Sequence, residues 1–156
     1  MATNLCREPV TCADLKLGRV TKLARTGCEN NQPQALSESL GQLRKLKWLR
    51  WGNNRLKVLP ESLGQLHKLW KLDCAHNQLQ SLPESLGKIQ NLQELYCFPN
   101  QLKTLPERMG KLRHLWPLTC NDNQLQALPE RLAALPKLKK LDARNNPLTY
   151  SPSVTP

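Results

Sequence analysis

Leucines recur along this chain at a period that does not drift. Leu23, Leu46, Leu69, Leu92, Leu115 and Leu138 stand 23 residues apart, as do Asn31, Asn54, Asn77, Asn100, Asn123 and Asn146. In the third repeat the order is Leu69, Leu72, Cys74 and then Asn77. Leu72 and Cys74 are two apart and share one face of an extended segment, so the spacing predicts a short strand. Asn77 follows where the chain must turn, and its amide is suited to bonding backbone groups of adjacent coils. Leu79 and Leu82 then bring the chain back to the interior. Units this short cannot bury an apolar face alone, so a fixed period of this length predicts stacked coils, a solenoid.

A second phrase predicts the other side of each coil. Leu82-Pro83-Glu84-Ser85-Leu86-Gly87 is echoed by Leu59-Pro60-Glu61-Ser62-Leu63-Gly64 and by Leu105-Pro106-Glu107-Arg108-Met109-Gly110. Proline suits the first position of a helical turn, and an acidic neighbour suits its positive end. Glycine four residues after the proline is placed to stop the turn. Each repeat therefore reads as one strand and one short helical turn on opposite sides.

The pattern weakens at its ends. The first repeat has Thr26, Pro33 and Ser37 where later ones have leucine, leucine and proline, yet Leu36, Leu40, Gly41 and Leu43 stay in frame. The expected organisation is an N-terminal cap (1–22), six repeats (23–148) and a proline-rich tail (149–156). That tail covers the last coil poorly, which leaves three readings open: a fragment, a short isoform, or a subunit whose open end a partner covers.

Six cysteines raise the question of metal or disulfides. Cys28, Cys74, Cys97 and Cys120 share one repeat position, taken by Trp51 and Ala143 in the other two coils. On neighbouring parallel strands such residues stand about 4.8 Å apart in a row. A zinc ion needs its sulfurs about 2.3 Å away around a tetrahedron, which a row does not supply. We read these four as buried apolar side chains. Cys6 and Cys12 lie outside the frame, with a disulfide between them left open. Unpaired thiols, no basic-then-apolar leader and no long apolar run together place the chain in the cytoplasm.

With these motifs in hand, the segment LPESLGQLHKLWKLDCAHNQLQSLPESLGKIQNLQEL resembles the intracellular 23-residue class of leucine-rich repeat proteins. That class includes Ras-suppressor and Ras-scaffold proteins, plant intracellular relatives and bacterial proteins of similar repeat. The likeness covers residues 23–148. It implies an α/β architecture: a curved right-handed solenoid with a parallel sheet on the concave face and short helical turns on the convex face. It also implies protein binding on the concave face, with signalling proteins such as Ras-like small GTPases among the partners. Where that class favours an aliphatic residue, this chain has cysteine or tryptophan, a departure expected to loosen the core around Trp51.

The variable strand positions should face the concave side. Read down the stack, Trp48, Arg50, Lys71, Asp73, Tyr96 and Phe98 make one patch across repeats two to four. Tryptophan, tyrosine and arginine are enriched in binding hot spots, and only 4% of the chain is aromatic. Single surface aromatics are ordinary, but these cluster, and we read them as a partner-binding patch. Trp70 and Trp116 fall one position earlier, either along the rim or packed on the preceding turn.

The net charge of +11 gathers around the first leucine of the repeats. Arg44, Lys45, Lys47, Lys68, Lys111, Arg113, Lys137, Lys139 and Lys140 would form a basic rim, joined by Lys71. Such a rim is either a solvated face or an attachment site for an acidic protein, acidic lipid or nucleic acid. Nucleic acid is disfavoured, because no nucleic-acid-binding motif accompanies the charge. Phosphate-cradling glycine loops, HExxH and GxSxG are missing, and no cofactor is implied. Cys74 and His76 invite a nucleophile–base reading, but Cys74 sits at a core position, where thiols are inert. The expectation is a non-enzymatic protein-interaction module. Electrostatic attachment through the rim, or a repeat cassette from a larger protein, are the alternatives.

Overall fold

The computed structural model describes residues 25–27 and 34–149, and for 25–27 the backbone alone. The expected N-terminal cap, Cys6, Cys12, Cys28 and the tail beyond Thr149 lie outside the described residues. Within them the chain is a right-handed solenoid of stacked coils. Strands β1 (Arg25–Gly27), β2 (Trp48–Arg50), β3 (Lys71–Asp73), β4 (Glu94–Tyr96), β5 (Pro117–Thr119) and β6 (Lys140–Asp142) form one parallel sheet in sequence order. Five 3₁₀ turns, Glu38–Gln42, Glu61–Gln65, Glu84–Lys88, Glu107–Lys111 and Glu130–Ala134, line the opposite side. The expected helical turns are thus the tighter 3₁₀ form, which suits five-residue pieces.

Register follows the sequence frame. Leu49 pairs with Leu72, Leu72 with Leu95, Leu95 with Leu118 and Leu118 with Leu141, so in-frame residues become spatial neighbours. Leu49, Leu72, Leu95 and Leu118 point into one continuous core with Leu46, Leu69, Leu92 and Leu115, all fully buried, and the partly buried Leu141 packs against it. Leu63, Leu86, Met109 and Leu132 reach the same core from the 3₁₀ side. Cys74, Cys97 and Cys120 stack beneath the sheet as a column of buried free thiols. Trp51 heads that column and is 1% exposed, so the expected loosening is not seen as exposure. Its indole Nε1 is buried without a hydrogen-bond partner.

Behind the strands, each asparagine links its own coil to the preceding one. Asn100 Nδ2 donates to Cys74 O at 3.0 Å and to Cys97 O at 3.1 Å, while its Oδ1 accepts from Leu79 N at 2.9 Å. Asn123 repeats this with Cys97 O, Cys120 O and Leu102 N, and Asn146 with Cys120 O, Ala143 O and Leu125 N. Carbonyls and amides that the sheet leaves unpaired in a buried place are satisfied this way. The residue before Asn54, Asn77, Asn123 and Asn146 turns sharply, whereas Pro99 precedes Asn100. Asn53, His76, Asp122 and Asn145 have φ between 52° and 56°, a region tolerated best by short polar side chains.

Two expectations about the convex side need correction. Pro60, Pro83 and Pro106 do not begin the turn; each caps it in extended conformation, with φ between −70° and −60°. The proline carbonyl accepts the first bond of the turn, as in Leu63 N to Pro60 O at 3.1 Å. Its missing N–H is not needed there, and its fixed φ holds the approach. In the first described turn Ser37 replaces proline, and its hydroxyl accepts from Ser39 N at 3.3 Å. The acidic residue also serves a neighbour: Glu38 Oε2 accepts from Ser62 N at 2.9 Å, and Glu61 Oε2 from Ser85 N at 3.2 Å.

Glycine does not stop the turn either. Among the described residues no glycine has positive φ, and Gly64 lies inside Glu61–Gln65, which ends at Leu66 through a bond to Leu63 O. Its role is close approach. A Cβ on Gly64 would stand 2.6 Å from Ser85 Cβ and 2.6 Å from Ser85 O, far inside van der Waals contact. Gly64→Ala should therefore push two coils apart and cost about 1–3 kcal/mol, a visible drop in thermal midpoint. Gly52→Ala, whose Cβ meets nothing nearer than 3.5 Å, should change stability by under about 0.5 kcal/mol. Equal effects would sink the steric account. Asn100→Ala should cost more, on the order of 3 kcal/mol, because several buried backbone groups lose their partner together.

Candidate protein-interaction surface

Three adjacent strands present the patch. Trp48 pairs in register with Lys71 and Lys71 with Glu94; Arg50 pairs with Asp73 and Asp73 with Tyr96. Each strand is three residues long with only its middle leucine buried, so the flanking positions face out on the concave side. Arg50 is exposed, whereas Trp48, Lys71, Asp73, Tyr96 and Phe98 are half-buried.

The patch has internal structure that reading columns separately does not reveal. Lys71 Nζ lies 2.8 Å from Glu94 Oε2, and Tyr96 Oη donates to the same carboxylate oxygen at 3.1 Å. The ammonium also sits 4.9 Å from the Tyr96 ring centroid, in cation–π range. The hydrogen bond to Glu94 raises the Lys71 pKa above its ordinary value, with desolvation opposing it. Burial first, then the bond to Glu94, raises that of Tyr96. Glu94 is thus the hub of the patch, although the sequence singled out only its neighbours. Both ends of the ion pair keep some contact with solvent, so it contributes under about 1 kcal/mol. It fixes the Tyr96 ring more than it stabilises the fold.

Aromatic pairs flank this hub. Trp70 packs edge-on against Trp48, with centroids 5.0 Å apart and planes at 76°. Of the two places considered for Trp70, neither names this contact, which follows from strand register and side-chain rotation. On the other side Phe98 lies 6.2 Å from the His76 ring. Trp116 is 54% exposed at the frame position of Trp70. It follows Leu115 and precedes the buried Pro117, and in the preceding coil the frame position of Trp48 is held by Glu94, which offers no indole. Asp73 Oδ1 accepts from Ala75 N at 3.1 Å, leaving its carboxylate tied to its own strand end.

The basic rim residues Arg44, Lys45, Lys47, Lys68, Lys111, Arg113, Lys137, Lys139 and Lys140 are all exposed. Lys137 Nζ approaches His114 Nδ1 at 3.3 Å. The Cys74–His76 pair has no catalytic geometry: Cys74 is buried and donates its S–H to Tyr96 O at 3.4 Å, while His76 lies exposed on the turn. Burial pushes the Cys74 thiol far above its ordinary range. Among the described residues no group of three His, Cys, Asp or Glu is placed to hold a metal ion, and no helix is long and apolar enough to cross a membrane.

Comparison with known proteins agrees with this geometry. The family pattern described as a leucine-rich repeat region matches residues 6–146, and the chain belongs to the leucine-rich repeat proteins. Comparison with curated proteins finds no match. Among solved structures, the leucine-rich repeat domain of the type III effector XopL is 28% identical, with TM-score 0.79 over 85% of this chain and 48% of that one. YopM from Yersinia enterocolitica is 31% identical, with TM-score 0.71 over 84% of this chain and 26% of that one. The plant peptide hormone receptor RGFR1, solved in complex with RGF2, is 30% identical, with TM-score 0.74 over 81% and 21%. This chain spans less than half the length of each. Leucine-rich repeat proteins are in general protein-binding rather than catalytic.

The thiol column yields a chemical test. Cys74, Cys97 and Cys120 should resist alkylation at pH 8 in the native protein and react on denaturation, as read by peptide mapping. The burial that shields them also raises their pKa values above the ordinary 9.0, that of Cys120 to about 12. The stability they contribute is complete below pH 9.0 and is lost as pH rises toward and past 12. A Cys74/Cys97/Cys120→Ala variant should lose thermal midpoint less steeply over that window. An identical slope would show that these thiols do not titrate on unfolding.

Proposed function

We propose that this chain is a non-enzymatic binding module that holds a protein segment on its concave face, across β2, β3 and β4. The observation that carries the reading is the in-register cluster of Trp48, Arg50, Lys71, Asp73, Tyr96 and Phe98, with Glu94 and Trp70 added. A face meant only for solvent has no use for such a concentration of half-buried rings in a chain this poor in aromatics. Trp48 already packs on Trp70, and Tyr96 is bonded to Glu94 beside Lys71, so a partner would lose little side-chain entropy on docking. RGFR1, a plant peptide hormone receptor of the same fold, was solved in complex with RGF2, which supports ligand binding by this scaffold. The likeness to Ras-suppressor and Ras-scaffold proteins supports a cytoplasmic signalling role, with a Ras-like small GTPase as the first partner to test.

The double variant Trp48→Ala/Tyr96→Ala should weaken capture of that GTPase, or of peptides selected by display on the wild-type protein, by at least about thirtyfold. Its thermal midpoint should fall only slightly, since neither side chain belongs to the leucine core. Undiminished binding by the double variant would mean the patch is placed wrongly. Attachment through the basic rim instead predicts a steep fall in binding with added salt and indifference to both aromatics.

A further inference from the structure

We propose that the edge at which β4 and β5 begin holds a phosphomonoester carried by a protein or peptide partner. A depression of about 390 Å³ opens there, lined by Gln90, Gly110, Lys111, Arg113 and His114. Two permanent cations, an imidazole and an amide line it, and no carboxylate does. Lys137 adds a third cation at the border, its Nζ 3.3 Å from His114 Nδ1.

The charge there is uncompensated. The ion pairs among the described residues join Lys71 to Glu94, Arg108 to Glu84 and Arg144 to Asp142. Lys111, Arg113 and Lys137 take part in none of them. Cations gathered around one hollow repel each other, and a bound anion removes that repulsion. A phosphomonoester carries a charge of about −1.5 to −2 and three strong acceptor oxygens. The planar fork of Arg113 can engage two of those oxygens while Lys111 acts as a point charge. A carboxylate brings only one charge and two oxygens to the same donors.

The edge also indicates what carries the phosphate. A second hollow of about 380 Å³ lies one repeat earlier, lined by Lys68, Trp70, Asn91 and Gln93. Asn91 Nδ2 donates to His67 O at 2.7 Å, which ties the two coils together at this point. Lys68, Asn91, His114 and Lys137 share one frame position, so they run along the edge in a row. From the coil of Trp70 to that of Arg113 is two strand spacings, about 10 Å, which about three extended residues span. One peptide can thus set an apolar side chain on Trp70 and its phosphate in the basic hollow. A nucleic acid would want unbroken positive charge, and around the first leucine of repeat four stand only the neutral Gln90, Asn91 and Gln93. The source of the phosphate rests on the protein-binding function proposed above, while the hollow itself uses residues outside the concave patch.

Fluorescence anisotropy with synthetic peptides tests the proposal. The panel carries one phosphoserine and one phenylalanine at varied separation, each with an unphosphorylated twin. The best phosphopeptide should bind at least about tenfold tighter than its twin, with inorganic phosphate competing. Lys111→Glu/Arg113→Glu, at exposed positions and checked for an unchanged thermal midpoint, should erase the preference. Trp70→Ala should weaken phosphopeptide and twin alike. Retained phosphopeptide binding by Trp48→Ala/Tyr96→Ala would support the edge site even where the concave reading has failed. Equal binding of the twins, a preference that survives the charge reversal, or binding of phosphatidylinositol-phosphate vesicles without binding of any phosphopeptide would each overturn it.

Discussion

Each coil of this molecule turns back on itself behind the sheet, and there the backbone exposes carbonyls and amides to an interior without water. An unpaired buried group of that kind costs about 1–3 kcal/mol, and a stack of coils multiplies the debt. One side chain per coil resolves it. Asn77, Asn100, Asn123 and Asn146 each donate to carbonyls of their own and the preceding coil and accept an N–H from that same preceding coil. The bonds span 21 and 26 residues in every coil, so the same contact recurs at each step of the 23-residue period.

The remainder of the coil accommodates that stacking. Strands of three residues supply few ladder bonds, and the leucine core beneath them supplies the apolar burial that holds the column upright. On the convex side the approach is closer still. Gly64 leaves room for Ser85 of the next turn, and Glu61 reaches across to that residue's N–H. Stability in such a stack is mainly a sum of contacts between nearest neighbours. The concave face is then free to vary, since its side chains carry little of the load.

That freedom is why the candidate patch was legible as positions but not as an arrangement. The columns containing Trp48, Lys71 and Tyr96 follow from the period alone. The role of Glu94 does not, because Lys71 and Tyr96 belong to different columns and meet at one carboxylate only after rotamers are chosen. Trp70 was likewise a residue with two candidate surroundings until the register set it against Trp48. The basic rim was visible as composition, whereas the hollow around Arg113 exists only once Gln90 and Arg113 of successive coils lie side by side.

The sequence by itself determined the solenoid, the six in-frame strands, the asparagine column and the burial of Cys74, Cys97 and Cys120. All of these follow from a repeating interval, and an interval is a property of the chain alone. Tertiary structure decided what Pro83, Glu61 and Gly64 do. Rules for helix ends assign such residues to the turn they sit in, and proline indeed caps its own turn rather than opening it. The glutamate and the glycine act on the next coil, roughly one period away. No local pattern encodes that contact, because it exists only once two coils lie against each other.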